Sequence, residues 1–135
     1  MPANDQQMTQ EVFRLVNEER ASQGLETLRF SPVLSEIAGI YACEMIDGQF
    51  FAHTNPYSGE GPGQRAVRGG YSFVMLGENL AAGQRTPERV MADWMSSTSG
   101  HRENILHPEW VEVGIAVRVG GPHGVYWVQE FGDPP

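Results

Sequence analysis

The stretch Val111-Glu112-Val113-Gly114-Ile115-Ala116-Val117-Arg118-Val119 places a branched apolar residue at every second position, which is the period of a strand and not of a helix. The run Gly120-Gly121-Pro122-His123-Gly124 follows as a turn, and Val125 to Phe131 reads as a second strand returning antiparallel to the first. Upstream, the period becomes helical. Ser31-Pro32 is a cap followed by a first-turn proline. Val33, Leu34, Ile37, Ala38, Tyr41, Ala42 and Met45 then recur at helical spacing until Gly48 closes the segment. Thr86-Pro87 opens another helix, with Val90, Met91, Trp94 and Met95 on one face and a break at Ser96 to Gly100. Thr9 caps an earlier helix that runs to about Gln23, with Val12, Phe13, Leu15 and Val16 apolar and Gly24 as its stop. This reading leaves residues 1–8 as a polar N-terminal tail and 9–135 as a single domain. Short helical turns are expected at Gln64 to Val67 and at Asn104 to Leu106. Helices plus a terminal hairpin give an α+β fold, with helices packed on a small antiparallel sheet.

A chain of 135 residues suffices for one domain that buries roughly 65–70% of its unfolded surface. The formal net charge is -8, and all nine basic residues are arginines. That balance argues against nucleic acid or an anionic membrane as the main partner. The lack of lysine excludes a Schiff base or a Ser-Lys dyad. Cys43 is the single cysteine, so no disulfide forms within the chain. No apolar run approaches the roughly 20 residues of a membrane span, and the polar opening, Met1 to Gln7, does not read as a signal peptide.

Four histidines are present. His53 follows Phe50-Phe51-Ala52 where a helix gives way to a loop, and His101 follows Gly100 at a similar break. Imidazole ligates zinc and works as an acid or base near neutral pH. Two histidines fall short of the three protein ligands usual for catalytic zinc. Glu78 is the natural third candidate, because it lies between Gly77 and Asn79 in an otherwise apolar stretch and a buried carboxylate requires partners. Each residue also has a plainer reading: a histidine at a helix end as a hydrogen-bonding cap, and Glu78 as an acceptor of backbone N–H groups. His107 and His123 lie in loops and carry little functional weight. Cys43 has no cationic neighbour in sequence and reads as an inert thiol. No phosphate-binding loop, Gly-x-Ser-x-Gly elbow or His-Glu-x-x-His helix occurs.

Several segments, taken in order, resemble the CAP superfamily (cysteine-rich secretory proteins, antigen 5, pathogenesis-related 1) in its bacterial, SCP-like form. Val16-Asn17-Glu18-Glu19-Arg20 with Gly24-Leu25 and Leu28 is similar to the family's opening helix. Phe51-Ala52-His53-Thr54 resembles its first histidine segment, and Gly77-Glu78-Asn79-Leu80-Ala81 its glutamate motif. Trp94-Met95 with Ser99-Gly100-His101-Arg102-Glu103-Asn104-Ile105-Leu106 resembles its second histidine motif. Val113 to Ala116 and Tyr126 to Phe131 resemble its closing hairpin. The likeness covers about residues 9 to 132.

This resemblance implies an α-β-α sandwich around a central antiparallel sheet and a cleft where His53, Glu78 and His101 converge, with Asn79, Ser97 and Glu60 at its margins. Many eukaryotic members carry a second glutamate at about the position of Ser97 here, and Glu60 is the candidate substitute. The family's activities are diverse, so fold alone does not select one. The first expectation is an extracytoplasmic, secreted binding module whose cleft holds a divalent metal. Zn2+ would sit on His53 and His101, with water and Glu78 completing the shell. The occupant of the cleft would be a small molecule, lipid or peptide. The second is a metal-dependent hydrolase, a peptidase, with Glu78 as catalytic general base. The third is a carrier of a small apolar ligand or lipid.

Overall fold

A computed structural model describes residues 4–135, with side chains from residue 6 onward. Helix α1 spans Asn4–Ser22. Residues 4–8, which the spacing assigns to a tail, are therefore its first turns. Glutamine and methionine propagate a helix readily, and Met8 packs against the core. The remainder of that tail, 1–3, lies outside the described residues. Strand β1 (Arg29–Phe30) is short. Helix α2 (Pro32–Gly48) starts where the sequence places it: the Ser31 side chain accepts from the Leu34 N–H at 3.1 Å. Its stop differs. Gly48 is still helical, with the Phe50 ring in the space a side chain there would need, and Gln49 takes the left-handed conformation at φ 57°. Helix α3 (Pro62–Arg68), strand β2 (Met75–Ala82), helices α4 (Pro87–Met95) and α5 (His101–Ile105), and strands β3 (Glu112–Gly120) and β4 (Gly124–Asp133) complete the chain.

The strands form one sheet in the order β1-β3-β4-β2. β3, β4 and β2 are antiparallel neighbours, as expected, whereas β1 pairs parallel with β3 through Arg29 opposite Glu112 and Phe30 opposite Val113. The sheet is therefore mixed at one edge, and two residues give no period from which that pairing could be read.

Helices cover both faces, so the alternation in β3 and β4 separates two cores and not inside from outside. Val113, Ile115, Val117, Ala81, Trp127 and Phe131 pack against Val12 and Val16 of α1 and Val90, Met91 and Trp94 of α4. On the reverse face Ala116, Val128, Leu80 and Tyr126 meet Ala38, Tyr41, Ala42 and Met45 of α2. Residues on this second face are small where α2 lies closest. A Cβ at Gly114 would run into the main chain of Leu34 and Ser35. Gly114→Ala is expected to cost about 1–3 kcal/mol through overpacking, read as a lower urea midpoint at unchanged slope. An unchanged midpoint would show that α2 can back away freely.

Candidate functional site

Strand β2 is an edge strand, and successive side chains along it point to opposite faces. Glu78 shares the α2 face with Leu80, while Asn79 shares the α4 face with Ala81. The site is accordingly built in two halves that meet around the sheet edge.

On the first half, Glu78 is buried and both its oxygens are engaged. Oε1 accepts from His53 Nδ1 at 2.8 Å and Oε2 from Arg65 Nη2 at 2.6 Å. Arg65 projects from α3, and its side chain is only 2% exposed. It also donates from Nη1 to the His53 carbonyl at 2.8 Å, and its guanidinium lies 3.3 Å from the centre of the Tyr41 ring. Tyr41 in turn donates its hydroxyl to the Ala52 carbonyl, and burial pushes that phenol up to about 12. The loop carrying His53 is thus held through its main chain by Arg65 and Tyr41, while the His53 imidazole remains half exposed. Directly opposite Glu78, in register across β4, stands the fully buried Glu130. Burial alone would raise Glu78. Hydrogen bonds with Glu130 and His53, together with the Arg65 charge, outweigh that and hold its carboxyl below the usual range. Glu130 goes the other way, well above that range, through burial and then the adjacent Glu78 charge.

On the second half, Asn79 donates from Nδ2 to the His101 carbonyl at 3.1 Å and to Gln129 Oε1 at 3.0 Å, and its Oδ1 accepts from Asn104 Nδ2 at 3.0 Å. Asn104 Nδ2 also reaches the Glu78 carbonyl at 3.2 Å. These contacts fasten α5 to β2. From behind, the buried Arg20 of α1 donates to the carbonyls of Ile105 and His107, each at 2.8 Å. His101 opens α5 after Gly100, whose φ of 107° suits glycine. Its Nδ1 is hydrogen-bonded to Ser97 Oγ at 3.0 Å. Burial, and next the neighbouring His53, hold His101 below the ordinary histidine value. Each imidazole therefore has Nδ1 committed inside the protein and Nε2 as its remaining nitrogen.

The structure links His53 directly with Glu78, and His101 with Ser97 and Asn79. Glu60 joins this network only through its carbonyl, which accepts from Arg65 Nη1 at 3.3 Å, because its carboxylate pairs with Arg68 at 2.8 Å. Among the described residues no group of three or more His, Cys, Asp or Glu is arranged to hold a metal ion. The trio His53, Glu78 and His101 is therefore not a ready three-ligand centre, since Arg65 and His53 already use the Glu78 oxygens. An ion held by the two imidazoles alone would need water for its remaining ligands. His107 accepts the Glu109 N–H at 3.1 Å and packs on Trp110, a structural role. His123 and Cys43 are exposed. Sequence reasoning misses Arg65 and Glu130. Nothing in the spacing of α3 marks Arg65. For Glu130 a signal exists: Gln129-Glu130 puts two adjacent polar residues in a strand covered on both faces, so both are forced inside.

This arrangement of helices on both faces of a four-stranded sheet matches solved SCP-domain structures. The model of the cysteine-rich secretory protein family, CAP, matches residues 13–131, and the chain belongs to that family. It is 36% identical over 130 residues to the uncharacterised protein YkwD of Bacillus subtilis (strain 168), covering 96% of this chain and 49% of YkwD. Its structure resembles an extracellular protein containing an SCP domain from Bacillus anthracis str. Ames, with a TM-score of 0.84 and 27% identity over 95% of this chain and 41% of that one. It also resembles an outer surface protein from Borrelia burgdorferi, with a TM-score of 0.87, 24% identity, and coverage of 96% and 94%. The last likeness is one of fold. The chain spans about half the length of YkwD.

Proposed function

We propose that this domain acts outside the cytoplasm as a binding module whose cleft holds a divalent cation on Nε2 of His53 and Nε2 of His101. Zinc is the ion that two imidazoles with water best suit. The observation that carries this reading is the anchoring of both rings through Nδ1, by Glu78 and by Ser97. Ligating histidines are commonly oriented in this way by a second partner. The lowered His101 supports it further, because a ligand must be neutral. An extracytoplasmic setting is supported by the extracellular Bacillus anthracis relative. Among the described residues, no helix is long and apolar enough to cross a membrane. Glu78 serves here as a positioning partner and is ill suited as a general base. Arg65 and His53 occupy both its oxygens, and a depressed carboxylate accepts protons weakly.

Titrating zinc into the wild type by calorimetry should give one saturable site. The His53→Ala/His101→Ala protein should give no such heat, and indistinguishable heats would overturn the proposal. The sign of the pH effect is fixed. Affinity is present while the imidazoles are neutral and falls as pH drops through the histidine range, about 6 and below. His101 resists protonation longer than an ordinary histidine because its value is lowered.

A further inference from the structure

We infer that Glu130 is the second acid of this cleft: a neutral carboxylic acid that donates its proton to Glu78 and so fixes Glu78 against His53. Glu130 is only 2% exposed and sits in register with Glu78 across β2 and β4, with Gly114 of β3 on its other side. Its Oε2 is buried and meets no N–H or O–H donor. The group opposite it is the buried Glu78 carboxyl. Two carboxylates are both acceptors, so a hydrogen bond between them requires a proton, and that proton belongs on the partner without a cation. Arg65 lies against Glu78 at 2.6 Å, which leaves the proton on Glu130. Burial without a cation of its own drives Glu130 upward in the same sense. Like charges this close do not ionise together, and burial decides which one stays neutral.

The consequence is a closed set of buried charges. Arg65 is positive, Glu78 negative and Glu130 neutral, so the pocket balances without the imidazole charge. Three donors then converge on one carboxylate: Arg65 on Oε2, His53 on Oε1, and the Glu130 hydroxyl. Glu130 touches neither histidine through a hydrogen bond and acts through Glu78, as a positioning residue. Its contribution to the proposed cation site is to keep Glu78 in place as the acceptor of His53 Nδ1–H, leaving Nε2 as the free nitrogen.

The test uses the metal-free protein, so its outcome is independent of whether zinc binds. Side-chain carboxyl 13C NMR of the wild type near neutral pH should show the Glu130 carbon in its protonated form and the Glu78 carbon ionised. A Glu130 carbon with carboxylate character overturns the inference without any variant. Glu130→Gln keeps a donor towards Glu78 and should preserve the His53 tautomer seen by 15N NMR. Glu130→Leu removes the donor and should leave His53 as a mixture of tautomers. Retention of a single His53 tautomer in a folded Glu130→Leu protein would refute the positioning role. Should that variant not fold, the wild-type carbon spectrum together with Glu130→Gln still decides, because a changed His53 tautomer in Glu130→Gln equally refutes it.

Discussion

Arg65→Met is expected to destabilise the fold by about 3–5 kcal/mol, the range for leaving one member of a buried ion pair without its partner. Methionine keeps much of the aliphatic stem, so the loss is electrostatic and hydrogen-bonding in origin. Without the guanidinium, Glu78 remains buried beside Glu130 with only the His53 imidazole to answer its charge, and the His53 carbonyl loses its donor. The pH dependence separates this cause from lost packing. In the wild type Glu78 is held below its ordinary range. Its contribution is therefore in place above the unfolded carboxylate value and is lost as pH falls through the lowered one. In the variant that contribution is absent, so the gap between the two proteins should be widest near neutral pH and narrow in acid. Urea denaturation at neutral and acid pH measures both gaps. Equal gaps would assign the loss to packing. The double variant Arg65→Met/Glu78→Gln should recover part of the stability by removing the stranded charge.

Trp127→Ala should cost about 3–5 kcal/mol, the range for emptying a large aromatic site in a core. Trp127 is fully buried near the middle of β4, opposite Ala81 on one side and Val117 on the other. Its indole N–H donates to the Gln84 carbonyl at 2.9 Å, so truncation also strands an acceptor next to the loop between β2 and α4. For a domain of this size the melting temperature should fall by roughly 10–20 °C. Calorimetric scanning reads that shift, and a drop of only a few degrees would mean the sheet and α1 close over the space.

The parts of this fold legible in the sequence are those whose signals are local. Ser31-Pro32 and Thr86-Pro87 mark the starts of α2 and α4 because a capping hydroxyl and a first-turn proline act within one turn. The hairpin is legible because Val113, Ile115 and Val117 all serve one core. β2 is not, since Gly77, Glu78 and Asn79 break the apolar alternation. Their surroundings explain this: Glu78 and Asn79 are buried on opposite faces, each satisfied by groups distant in sequence. His53, Glu78 and His101 stand out as polar residues at breaks in apolar runs. Arg65 does not stand out, because what makes it important is a contact to β2 that α3 alone does not reveal. Glu60 shows the converse. It lies near His53 along the chain, yet its carboxylate turns to Arg68, so nearness in sequence is a poor guide within a long loop.

The grip on the His53 loop is exerted on carbonyl oxygens, those of Ala52 and His53, by Tyr41 and Arg65. Every amino acid supplies a carbonyl, so this clasp is blind to the identity of the side chains it holds. Phe51, Ala52 and Thr54 are exposed. The rim of the cleft can therefore diversify from one homologue to the next, and its recognition surface can change character, while the scaffold that aims the imidazole stays as it is.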